Sequence, residues 1–174
     1  MHDAYDGVVH GRLENLLGAL AVSLSDQIAE ATTEVVGRGP SAPAALLSLF
    51  RRPHQTIESL RAPLGLSHSA TVRLVDHLEA DGLVVRGDAD DGRAVDLVLT
   101  PKGRRRAVRI QERRREVVQR TLAGLTAVDR RTLEPLVARL VRNQGLQRED
   151  PSPVCRLCEV AVCPLRRCPV PGGR

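Results

Sequence analysis

Four cysteines stand within fourteen residues, Cys155, Cys158, Cys163 and Cys168, in the spacing C-x2-C-x4-C-x4-C, with Pro164 and Pro169 directly after the last two. Thiols placed so close together have three chemistries open to them. Four thiolates satisfy a tetrahedral zinc ion at bond lengths of about 2.3 Å. Four cysteines on short loops equally satisfy an iron-sulfur cluster. The Cys155-Arg156-Leu157-Cys158 segment can also oxidise reversibly to a disulfide, with Arg156 favouring the thiolate.

Arginine is the second chemically loaded residue type. The 174 residues carry a net charge of +5, and every basic side chain except Lys102 is Arg. Fourteen basic groups face six acidic ones between residues 101 and 150, whereas residues 1–50 hold two basic and six acidic groups. Such a bias suits bidentate phosphate contacts and points to a polyanionic partner. With no Trp, one Tyr and one Phe, the chain lacks the aromatic platforms that stack single-stranded bases, which argues against that mode of RNA binding. No nucleophile-base motif or glycine-rich phosphate loop is present, so the expectation is a protein that is not an enzyme. No apolar run is long enough to span a membrane, and the opening MHDAYDG has no basic start followed by an apolar stretch. A cytoplasmic location is expected, with no membrane partner, and there clustered thiols serve as metal ligands more readily than as structural disulfides.

Several elements must position these groups. Leu13, Leu17, Leu20, Leu24 and Ile28 recur every three or four residues, with Leu16, Val35 and Val36 widening the stripe, which predicts one long helix stopped by Gly37, Gly39 and Pro40. At about 28 residues it would extend about 42 Å, longer than a small domain needs, so a partner chain is expected along it. A short apolar helix over residues 44–50 and another capped by Thr56 and ending near Pro63 follow. Then Leu64-Gly65-Leu66 forms a turn, and Ser67 caps a helix that runs to Asp81 and is closed by Gly82. On that helix Ala70, Leu74 and Leu78 share a face flanked by Thr71 and Val75, which leaves His68, Ser69, Arg73, Asp76 and His77 pointing elsewhere. This is a helix-turn-helix pattern.

Two short strands come next, residues 83–86 and 95–99, joined by the polar, glycine-bearing segment 87–93. Thr100 and Pro101 supply an N-cap and a first-turn proline for a long helix reaching about Leu122. Thr126 opens a last helix with the stripe Leu133, Leu136, Val137, Leu140 and Val141, which Pro135 is expected to kink or to start late. From Gln144 the composition changes, and the tail holds five of the eleven prolines and all four cysteines.

The order of elements, together with SHSATVRLVDHLEADGLVVRGDADDGRAVDLVLTPKG, closely resembles the multiple antibiotic resistance regulator (MarR) family of bacterial transcription factors over about residues 8–143. The residues that carry the resemblance are Leu78-Glu79-Ala80-Asp81-Gly82-Leu83-Val84, then Arg86, Asp88, Asp91 and Arg93, then Leu99-Thr100-Pro101 and Gly103. The resemblance implies a mainly α fold with a small β wing, a winged helix-turn-helix with a helical dimerisation region. Its parts would be residues 1–37 as a dimerisation helix, 38–100 as the DNA-binding domain, 101–143 as further dimerisation helices and 144–174 as the cysteine tail. It also implies a homodimer, a repressor, that places one recognition helix per subunit in the major groove of a pseudo-palindromic double-stranded operator.

The residues agree with that implication. Ser67, Ser69 and the free amides of the helix start can bind a phosphate. His68 and Arg73 are candidates for base edges, with His77 further along the same helix, and an Arg bidentate to guanine discriminates by about 1–3 kcal/mol. Arg93 would enter the minor groove, oriented by Asp88 and Asp91 as the family's wing carboxylates do. The arginines from Arg104 to Arg115 either reach flanking phosphates or form a solvated helix face. Gly92 stands where many members have a second wing arginine, and Arg61 where the preceding helix usually has a small residue.

The tail lies outside the common family fold. Its spacing is similar to that of a zinc knuckle with Cys163 in place of the histidine, although the knuckle's glycines and aromatics are absent. A Cys-Pro step also follows the last ligand of bacterial ferredoxin motifs. Zinc and an iron-sulfur cluster stand level, and either could sense or merely staple the chain end. A metal or redox centre modulating operator binding is the leading expectation. The alternatives are a thiol-disulfide redox protein and a metal-stapled interaction module. Family members also bind small aromatic acids, so a small-molecule inducer is a further expected partner.

Overall fold

The computed structural model describes residues 11–88, 95–159, 161–163 and 168–170. It is mainly helical with one two-stranded antiparallel sheet, in the order α1 (Arg12–Val36), α2 (Ser41–Arg51), α3 (Ile57–Leu64), α4 (His68–Ala80), β1 (Val84–Asp88), β2 (Val95–Leu99), α5 (Pro101–Thr121) and α6 (Ala127–Leu146), followed by a 3-10 turn (Ser152–Cys155). Helix α2 is the central post. Its residues from Ala42 to Leu49 are buried on every side, as expected of a helix that is apolar all round, and α1, α3, α4, α5 and β2 pack against it.

Local chemistry starts and stops the elements that matter for function. The hydroxyls of Thr56, Ser67, Thr100 and Thr126 each accept the backbone N–H three residues on, at 3.0–3.2 Å, which satisfies a donor that the helix itself cannot. Helix α4 ends at Gly82, whose φ of +67° lets Leu83 N–H reach back to Leu78 C=O at 2.9 Å. That reversal delivers Leu83 and Val84 to the core at the start of β1. Strand β1 pairs with β2 from Val84↔Leu99 to Asp88↔Val95, two residues further than the apolar pattern indicates, because Gly87 and Asp88 continue the ladder. A single bridge from Gln55 to Leu97 adds a third backbone to the sheet.

The Leu-Thr-Pro exit has a packing reason. Thr100 donates its hydroxyl to Gly82 C=O at 2.7 Å and its amide to Leu83 C=O at 3.1 Å, so the first turn of α5 lies against the turn after α4. A Cβ on Gly103 would sit 2.0 Å from Leu83 O, a backbone atom with nowhere to go. Gly103→Ala would raise helix propensity by about 1 kcal/mol in an open helix. Here it is expected to lower unfolding free energy by about 2 kcal/mol, as overpacking does. Urea denaturation checks this, and an unchanged or raised midpoint would refute the close approach.

Helix α6 departs from expectation. It runs unbroken through Pro135 from Ala127, neither starting late nor splitting at the proline. The cause is a reciprocal capping box in which Thr126 and Asp129 satisfy each other's amides. Two apolar faces remain without a cover. Leu13, Leu16, Leu17 and Leu20 are exposed on the first half of α1, and Leu136, Val137 and Leu140 on α6, where Leu136 is 49% exposed. The second half of α1 lies on α5, so the long helix is only partly folded back on its own domain. Among the described residues no helix is long and apolar enough to cross a membrane.

Candidate nucleic-acid interface and cysteine lobe

Helix α4 is divided cleanly by burial. Thr71, Val75 and Leu78 are wholly buried, whereas Ser67, His68, Ser69, Arg73 and His77 are exposed. Ser67 and Ser69 hydroxyls lie 3.3 Å apart at the helix start, beside the amides of the first turn. His68 Nδ1 is 3.5 Å from Glu58. Arg73 stands one turn along the exposed face and makes no ion pair among the described residues. His77 is a further turn on and lines a small cleft with residues 37–42, so it lies at the far end from the N-terminal amides. Arg93 and Asp91 lie outside the described residues. Asp88 ends β1, with its backbone opposite Val95.

Arg61 supports the helix-turn-helix instead of distorting it. It donates to Glu58 at 2.6 Å and to Leu66 C=O in the turn at 3.4 Å. These bonds hold the Glu58 carboxyl below its usual range.

The exposed helix also carries acidic groups, and the fold neutralises them. Arg86 on β1 donates to Asp76 at 2.5 Å and also to Glu79. Arg38, from the loop after α1, grips Asp81 with two nitrogens, one at 2.8 Å, and this holds the Asp81 carboxyl below its ordinary range. Lys102 adds a bond to Asp81 C=O at 2.8 Å. Three carboxylates that would repel a polyanion are thereby paired within the chain. Sequence reading missed this function for Arg38 and Asp76. The Arg86 pairs had a visible signal, two carboxylates three apart on the helix that feeds the strand. Arg38 and Asp81 had none, being 43 residues apart.

The arginine run on α5 is in large part structural. Arg106 donates to Val35 C=O at 2.8 Å, Arg113 pairs with Glu116 and Glu34, Arg109 with Glu112, and Arg115 with Glu159 at 2.6 Å. These side chains tie α1, α5 and the tail together.

The cysteine lobe is docked on the body of the protein. Its 3-10 turn packs on α3 and on the end of α6, Leu157 packs against the core, and Val170 is buried. Arg51, at the end of α2, donates to Cys155 C=O at 2.7 Å and to Arg156 C=O at 3.5 Å. All four cysteines are free thiols and line one cleft of about 1010 Å³. The thiol of Cys155 donates to Cys158, and with Arg114 and Arg51 nearby this pushes Cys158 down to about 6, while Cys155 is driven up by the same neighbour. Cys163 is raised, chiefly by burial. Among the described residues no three His, Cys, Asp or Glu side chains already stand as a preformed metal site.

This architecture has known counterparts. Residues 37–94 match the model of the MarR family. The chain is 30% identical over 95 residues to an uncharacterised helix-turn-helix transcriptional regulator of Bacillus subtilis, YwhA, covering 54% of this chain and 68% of that one. A MarR family protein from Bacillus stearothermophilus superposes with a TM-score of 0.69 at 25% identity, over 82% of this chain and 98% of that one. The Mycobacterium tuberculosis MarR family protein Rv2887 was solved in complex with DNA, with TM-score 0.59 and 24% identity over 74% of this chain and 96% of that one. It was also solved with salicylic acid, with TM-score 0.56 and 26% identity over 74% and 95%. With its exposed helix, paired carboxylates and Leu-Thr-Pro exit in one frame with these relatives, the chain belongs to the MarR family of helix-turn-helix transcriptional regulators.

Proposed function

We propose that this chain is a homodimeric, sequence-specific binder of double-stranded DNA that represses transcription, and that its cysteine lobe adjusts operator affinity through a metal or redox centre. The observation that carries the DNA reading is α4 itself. Its outward face presents Ser67, His68, Ser69 and Arg73 while its own acidic groups are bound by Arg86 and Arg38. Arg73 and His68 read base edges, and the N-terminal amides with Ser67 and Ser69 hold a phosphate. The likeness to a relative solved with DNA supports the same docking.

Dimerisation is read from the uncovered stripes on α1 and α6. A 20-residue helix that packs on its own chain only at its C-terminal end is marginal in water, and a second copy supplies the missing cover. Two recognition helices then fall on half-sites about 10 bp apart, and a dimer seated there excludes polymerase, which sets the sign as repression. Such a regulator acts in the cytoplasm. The cleft between α1, α6 and the cysteine lobe has room for a small-molecule inducer, in keeping with a relative solved with salicylic acid.

The test is selection from random duplexes at physiological salt. The expected product is a pseudo-palindrome whose affinity falls with salt by about 0.9 log units per log unit for each phosphate neutralised. If no sequence is enriched, the DNA reading fails.

A further inference from the structure

We infer that Cys155, Cys158, Cys163 and Cys168 close on a single thiophilic divalent ion of the zinc class, and that Arg51 latches the loaded lobe to the helix before the recognition helix. The inference rests on the DNA-binding reading for its consequence, though not for the site itself.

The argument for one ion is compactness. Cys155 and Cys163 each lie within hydrogen-bonding reach of both Cys158 and Cys168, so the four sulfurs form a closed ring along one wall of the cleft. One tetrahedral ion with bonds of about 2.3 Å calls for sulfurs about 3.8 Å apart. A four-iron cluster holds its cysteines outside a cage of metal and sulfide, and so needs them spread well beyond mutual hydrogen bonding. Side-chain rotation is enough to draw the ring onto one ion. Four thiolates around a divalent ion leave a net charge of −2, and Arg51 and Arg114 supply two positive charges beside it. On binding, each thiol that is still protonated releases its proton to water and forms a sulfur-metal bond; no electron is transferred.

The argument for the latch is connectivity. Arg51 is held to Leu47 C=O on its own helix at 3.3 Å and reaches the carbonyls of Cys155 and Arg156. The turn containing Cys155 rests on α3, which is joined to α4 by three residues. An ion that stiffens the ring therefore stiffens the surface supporting α3, and with it the seat of the recognition helix.

The experiment uses the full chain, purified without air, stripped of metal and titrated with cobalt(II). One cobalt per chain with the visible absorption of a tetrahedral thiolate site is expected, and Cys163→Ser should weaken binding at least 10-fold. Arg51→Gln should still take one cobalt. Hydrogen exchange should then show α3 protected by the ion in the parent and not in Arg51→Gln. Iron with acid-labile sulfide in the purified chain, or cobalt binding that is absent or indifferent to Cys163→Ser, overturns the ion site. Equal protection of α3 in both proteins overturns the latch. Both readouts work without DNA, so a chain that binds cobalt but selects no duplex fails the DNA reading alone, and one that selects a duplex but takes no ion fails this inference alone.

Discussion

Leu136→Asp combined with Leu140→Asp should convert the protein to a monomer and weaken operator binding by about 1000-fold or more, the lower end of the gap between specific and non-specific binding. Both leucines lie on the uncovered stripe of α6. Each would bury apolar area worth about 1.5–3 kcal/mol against a partner, and an aspartate in its place would leave an unpaired charge in the seam. The winged helix core, built from α2 to α5 and the sheet, does not use either side chain, so far-ultraviolet circular dichroism should remain helical. Light scattering reads the mass, and a gel-shift titration reads affinity. Leu17→Asp on α1 repeats the test from the other stripe. If all three substitutions leave mass and affinity unchanged, the two stripes are not the dimer interface.

Arg73→Ala should cost about 1–3 kcal/mol per half-site and relax the preference at one base pair in each. The residue is exposed on the outward face of α4 and supports nothing in the core, so its removal should leave the melting temperature in place. Ser67→Ala is the contrast. It removes both the α4 cap and a phosphate ligand, so it should weaken all sequences alike and lower stability by about 1 kcal/mol. Repeating the selection with Arg73→Ala decides the matter, and an unaltered selected sequence would remove Arg73 from base recognition.

Much of the frame was legible in the chain because it is governed by local rules. The hydroxyls of Ser67, Thr100 and Thr126 marked helix starts, and the spacing of Thr71, Val75 and Leu78 told the buried face of α4 from the exposed one. Where two local rules competed, the weaker was given too much weight. Pro135 suggested a break, but one missing amide in a 20-residue helix yields to a complete capping box at Thr126 and Asp129. The arginines of α5 show the limit differently. Their charge suggested phosphate or solvent, yet Arg106 and Arg113 reach Val35 and Glu34 on α1, contacts that depend on how α1 folds back.

By itself the sequence determined the order and type of the elements, the residues that α4 turns outward and the presence of four thiols at ligand-like spacing, since periodicity, capping and spacing act over a few residues. Tertiary structure alone decided that Arg38 and Arg86 neutralise the carboxylates of the recognition helix, that Gly103 admits the Leu83 carbonyl, and that Arg51 holds the cysteine lobe from 104 residues away. Ion pairs and close approaches of this kind need two segments to be brought together by packing of the core between them, and no pattern within either segment carries that information.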